Sequence, residues 1–150
     1  MRKRFLLPLL GLVLCLAAVK AHAFLGFSNG YPEAEITDGA VHLPVADIED
    51  GKAHFYAHKA QGKDIRFFVV KSSDGVIRAA FDACDVCYPE NKGYEQDGDF
   101  MVCKNCGRRF HSSQINVVQG GCNPSPLTRT EADGMVTIKA SDIEAGATYF

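Results

Sequence analysis

Apolar and polar residues alternate along most of this chain in steps of two, and turn residues break the alternation at short intervals. Val41 and Leu43 fall on one side of a short segment, as do Val136 and Ile138 in another; this is the pattern of a strand with one covered face. Phe67 to Val70 is a continuous apolar run, predicted as a buried strand. The turn Ser72-Ser73-Asp74-Gly75 and a returning strand from Val76 to Phe81 follow it. A second hairpin is predicted where Asp97-Gly98-Asp99 leads into Phe100-Met101-Val102 and on to Cys103. Residues 82–125 carry no sustained helical period. The fold class expected is all-β: a small antiparallel domain whose two hairpins end in loops that bear cysteines.

The two ends of the pattern match each other. Asp38 to Phe55 aligns without gaps to Asp133 to Phe150, with identities at Asp38/Asp133, Gly39/Gly134, Val41/Val136, Asp47/Asp142, Ile48/Ile143, Glu49/Glu144, Gly51/Gly146 and Phe55/Phe150. Each copy reads as an Asp-Gly turn, an alternating strand, one helical turn at "ADIE" or "SDIE", and a step past glycine into a second strand. Two copies are too few for a stacked solenoid. They are expected to form matching edges of one β-domain.

The N-terminus breaks the alternation altogether. Arg2, Lys3 and Arg4 precede an apolar run from Phe5 to Val19, and Ala21-His22-Ala23 follows. This is the layout of a secretory signal, residues 1–23, with a mature domain over 24–150. The run is shorter than the roughly 20 apolar residues of a spanning helix. The expected location is therefore periplasmic or otherwise extracytoplasmic, with membrane association only through a partner or an uncleaved signal. Arg2-Lys3-Arg4 is not a twin-arginine signal, so export of an unfolded chain is expected. Cys15 falls inside the discarded run.

Charge narrows the partners. Of 16 Lys and Arg the signal removes four, and of 18 Asp and Glu it removes none, which leaves a formal charge of −6. An acidic exported domain lacks the basic face that phosphate binding needs, so nucleic acid is not expected as a partner.

The chemistry lies in Cys84, Cys87, Cys103 and Cys106, spaced C-x2-C-x15-C-x2-C. A C-x2-C turn aims two sulfurs to one side, and two such turns facing each other make a thiolate site for a metal or a cluster. Gly107 supplies the positive φ that lets backbone N–H groups point at sulfur; the first loop has no glycine and must turn differently. Soft thiolates suit zinc, Cu(I) and 2Fe-2S or 4Fe-4S clusters alike. Structural disulfides are the alternative that export favours. A thiol–disulfide oxidoreductase using Cys103 and Cys106 is a further alternative, although neither pair opens a helix that would lower a thiol pKa. Cys122, in "QGGCNPSPL", is the odd mature cysteine and is expected beside the centre. His111 is the one histidine kept as a neighbour of the centre. His54, Tyr56 and His58 are expected on a solvated strand face, and His42, in the place of Thr137, at an exposed position.

With these residues in view, the central region resembles a Rieske-type iron–sulfur domain. "CKNCGRRF" is similar to the second ligand loop of those proteins and "GGCNPSPL" to their proline-rich shielding loop, with cysteine standing where Rieske proteins have histidine ligands. Nearly the whole mature chain resembles the iron–sulfur-containing FtrD-like family, in its two C-x-x-C pairs, its "CGRRF" knuckle and its "GGCNP". That resemblance implies a small Rieske-like domain with an iron–sulfur cluster on Cys84, Cys87, Cys103 and Cys106, not itself an enzyme. The expected partner is a redox or iron-transport membrane protein; zinc or copper in a closed four-cysteine site is the alternative.

Overall fold

The computed structural model describes residues 27–150 except Asn29. The predicted signal, its cleavage position and Cys15 lie outside the described residues. Strands β1 (Phe27–Ser28) and β2 (Tyr31–Pro32) pair as a minimal hairpin. Strands β4 (His54–Ala60), β5 (Lys63–Lys71) and β6 (Ile77–Phe81) form one meander. A second meander holds β7 (Tyr94–Asp97), β8 (Phe100–Cys103) and β9 (Arg109–His111). The last sheet has the order β10 (Thr130–Ala132), β11 (Met135–Lys139), β3 (Ala40–Pro44). Every pairing within these sheets is antiparallel. A short helix α1 (Ala140–Glu144) and single 3₁₀ turns complete the fold.

The repeated segments are direct neighbours. His42 stands opposite Thr137, its own counterpart in the repeat, with Val41 facing Ile138 and Leu43 facing Val136. The two copies are thus related by a local twofold. The N–H of Val45 donates to the Gly134 carbonyl at 2.8 Å, and the N–H of the equivalent Ala140 donates to the equivalent Gly39 carbonyl at 2.9 Å. Asp38-Gly39 and Asp133-Gly134 take successive positive φ angles of 52° and 77°, and 52° and 73°, as a tight hairpin turn requires. The expectation of two matching edges is corrected: β3 is an edge, while β11 is central. The second copy also ends in a 3₁₀ turn (Ala145–Tyr149) where a strand was predicted. Its Gly146 lies against the Phe81 ring, closely enough that a Cβ would stand 2.2 Å from Cε1, and Tyr149 packs on the same ring.

Strand β5 carries an unbroken apolar run from Phe67 to Val70 because that stretch serves two cores. Phe67 and Val69 join Val41, Ile48, Ile65, Val136, Ile138 and Ile143 in the first. Phe68 and Val70 face the other way, into a second core with Tyr94, Met101 and Ile115. Full burial of each such side chain contributes about 1.5–3 kcal/mol, and a strand covered on both faces loses its alternation. Three thiols, Cys84, Cys87 and Cys103, belong to this second core.

On β4 the predicted solvated face is half-buried. Tyr56 stacks on Phe67, His58 Nε2 meets Glu144 at 3.3 Å, and His54 Nε2 meets Asp50 at 2.8 Å. Part of this cover comes from the second copy of the repeat, whose Glu144 at the end of α1 reaches His58. His42 is exposed, as expected.

Candidate metal centre

Strand β6 ends at Phe81, and the chain passes Asp82 and Ala83 before presenting Cys84. Without a glycine the first loop turns by helix-like bonding: the Tyr88 N–H reaches the Cys84 carbonyl at 3.2 Å, and the Cys87 N–H reaches the Cys84 sulfur at 3.2 Å. The second loop is the predicted knuckle. Gly107 has φ 72° and its N–H closes on the Cys103 carbonyl at 2.8 Å. The N–H groups of Asn105 and Cys106 point at the Cys103 sulfur, and that of Arg108 at the Cys106 sulfur.

Both loops and the Cys122 loop converge. Among the described residues the thiols gather as two sets, Cys84 with Cys87 and Cys122, and Cys87 with Cys103 and Cys106; within each set the sulfurs lie within 4.8 Å of one another. All five are free thiols. Cys84, Cys87 and Cys103 are buried, Cys122 is half-buried and Cys106 is exposed. Burial pushes the Cys103 thiol up to about 11 and the Cys122 thiol up to about 12, the latter also through the neighbouring thiols. The Arg108 N–H holds Cys106 below the ordinary thiol range. Ionising this crowd together at neutral pH requires a cation among the sulfurs, so metal binding here releases protons. Soft sulfur donors ringed by N–H groups fit a sulfur-ligated metal or an iron–sulfur group.

A family model described as membrane iron–sulfur containing protein, FtrD-like, matches residues 48–150, which hold all five of these cysteines. The chain belongs to the FtrD-like family. No curated protein matches it. Among solved structures, a quaternary ammonium Rieske monooxygenase, CntA, in complex with an inhibitor, overlays 66% of this chain and 30% of its own at 16% identity and a TM-score of 0.43. Among the described residues no helix is long and apolar enough to cross a membrane.

His111 of this FtrD-like chain is held at the start of a turn. Its Nδ1 meets the Ser113 hydroxyl at 2.8 Å and accepts the Ser113 N–H, capping the 3₁₀ turn Ser112–Gln114, while its ring stands edge-on to Phe100.

The sequence reading missed a buried polar group directly behind the thiols. Asp82 is 1% exposed. Its Oδ2 accepts from the Tyr31 hydroxyl at 2.8 Å and its Oδ1 from the Tyr94 N–H at 2.6 Å. Burial still raises its pKa, and the Tyr31 hydroxyl is pushed up to about 12 by burial and by the carboxylate. Gly93 makes the space: a Cβ there would stand 2.2 Å from Asp82 Oδ2. The Arg66 guanidinium lies over the Tyr31 and Phe150 rings and donates to Asn91. Tyr94 links this group to the metal centre, because its hydroxyl donates to the Cys122 carbonyl at 2.5 Å. An aspartate in the apolar stretch "AAFDAC", together with Gly93 ahead of the second pair, was the available signal.

Proposed function

We propose that residues 24–150 form an extracytoplasmic electron-transfer module, exported by residues 1–23, in which Cys84, Cys87, Cys103 and Cys106 hold an iron–sulfur cluster. The observation that carries this reading is the layout of the sulfurs. A single tetrahedral zinc ion draws four thiolates to about 3.8 Å of one another, given metal–sulfur bonds of about 2.3 Å. The four thiols of the C-x-x-C pairs do not make one such group; they divide about Cys87. That division suits a centre with more than one metal, and the FtrD-like membership supplies iron and sulfide.

The chain's own residues then have distinct tasks. Cys84, Cys87 and Cys103 anchor the cluster in the second core, and the N–H groups of Cys87, Asn105, Cys106 and Arg108 stabilise charge on sulfur. Cys106, exposed, marks the edge at which electrons enter and leave, and Val86, 60% exposed within the first pair, offers an apolar contact for a partner. When bound, the cluster supplies one-electron chemistry; all-thiolate ligation sets its potential below that of a histidine-ligated Rieske centre. The protein carries charge for a membrane redox or iron-transport partner and catalyses nothing by itself. Because export precedes folding, the cluster is assembled outside the cytoplasm.

The test is redox cycling. Anaerobically isolated protein should show visible charge-transfer absorption that bleaches on chemical reduction and returns on reoxidation through several cycles. A colourless protein, or insulin-reductase activity that survives chelation, rejects the reading.

A further inference from the structure

Cys122 is built into position. Gly120 and Gly121 take positive φ angles of 86° and 62°, the Tyr94 hydroxyl holds the Cys122 carbonyl, and the Asn123 amide closes on the Val118 carbonyl. The loop so fixed sets Cys122 Sγ 3.8 Å from Cys87 Sγ. With bonds of about 2.3 Å, two thiolates on one soft metal ion stand roughly 3.8–4.0 Å apart. Cys122 therefore stands at ligand distance from Cys87.

We propose that the five thiols form a two-ion site for Cu(I). Cys84, Cys87 and Cys122 hold one ion, Cys87, Cys103 and Cys106 hold the other, and the Cys87 thiolate bridges them. The number of donors selects the ion. Each set offers three sulfurs; Cu(I), soft and monovalent, is satisfied by three thiolates, whereas Zn(II) takes four ligands. The N–H groups on Cys84, Cys103 and Cys106 offset the surplus negative charge of five thiolates around two monovalent ions. Binding changes no oxidation state: each thiol gives its proton to solvent as its copper–sulfur bonds form. The site needs no inorganic sulfide, so it stands apart from the cluster reading and competes with the cluster for the same thiols.

The test is an anaerobic titration of the reduced, metal-free mature protein with Cu(I) against a competing chelator, the ions being counted by mass spectrometry of the intact protein. X-ray absorption reports the coordination. Two Cu(I) per chain are expected, each with three sulfurs and with a short copper–copper vector, and Cys122→Ser should fall to one. A wild type that binds a single Cu(I), or a Cys122→Ser variant that binds two as tightly as the wild type, overturns the proposal. Should Cys122→Ser not fold, the wild-type count and copper–copper vector decide alone. The cluster reading fails on a different observation, the absence of iron and sulfide from the isolated protein, which leaves the copper count untouched.

Discussion

The loop with Cys84 and Cys87 is sunk in the second core, both sulfurs covered, while the loop with Cys103 and Cys106 projects between β8 and β9 with its second sulfur exposed. Their spacing is the same and their construction is not. The first follows an apolar strand and has no glycine, so it winds inward by helix-like bonding and keeps its thiols among Phe68, Val70 and Ala80. The second turns at Gly107, whose positive φ lets N–H groups face both of its sulfurs, the buried Cys103 and the exposed Cys106. One loop is built inward and the other outward; spacing alone does not distinguish the two.

The largest effect should come from the sulfur that shares both characters. Cys103 is buried and also receives knuckle N–H groups, so Cys103→Ser should abolish iron and sulfide incorporation. Full stoichiometry in that variant, measured by metal and sulfide analysis, would remove Cys103 from the ligand set.

The glycines around the two loops sharpen the contrast. Gly93→Ala drives a Cβ into a buried carboxylate at positive φ and should cost about 3 kcal/mol, the range of an overpacked and unsatisfied buried site. Gly107→Ala meets no atom within 4 Å, so only its φ is strained, at about 1 kcal/mol. Urea denaturation of the metal-free variants checks the order, and equal losses would contradict it.

Support beneath the loops gives a pH effect. The Arg78 guanidinium, on the strand that feeds the first loop, donates to the Ile115 carbonyl, beyond the second loop, at 2.9 Å, and to both oxygens of Asp74 at 2.7 Å. Arg78 and the Ser72 hydroxyl hold the Asp74 carboxyl well below the usual carboxylate range. A depressed folded pKa stabilises the protein above the unfolded value of about 4. That contribution is lost as pH falls below about 4 toward the folded pKa. Thermal unfolding from pH 6 down to pH 2 should show this acid slope, and Asp74→Asn should be less stable at pH 6 with a shallower slope. An unchanged slope would remove Asp74 as its source.

The smallest effect is expected at His111. Its cap on Ser113 is worth about 1 kcal/mol, so His111→Ala should lower stability by that much and leave metal content unchanged. Loss of metal would restore it as a neighbour of the centre.

What could be read from the chain was local. The hairpin of β5 and β6, both Asp-Gly turns and the Gly107 knuckle are each written within a few residues, and the structure has them. The pairing of His42 with Thr137, 95 residues apart in sequence, was hidden because a repeat shows likeness and not contact. The half-buried face of β4 depends on Glu144 and Phe67 arriving from elsewhere. Asp82 reads as an ordinary loop carboxylate until Tyr31, Tyr94 and Gly93 close on it. Likewise, two C-x-x-C pairs announce a thiol centre, but the division of the sulfurs about Cys87 depends on the distant Cys122.

Whether Cys84, Cys87, Cys103 and Cys106 hold a cluster is decided by iron, zinc, copper and inorganic sulfide analysis of mature protein purified anaerobically from its export compartment. Iron and sulfide in equal amounts, at two or four per chain, are the predicted result. Zinc or copper without sulfide would contradict the cluster and make this fold the frame of a thiolate metal site that carries no electrons.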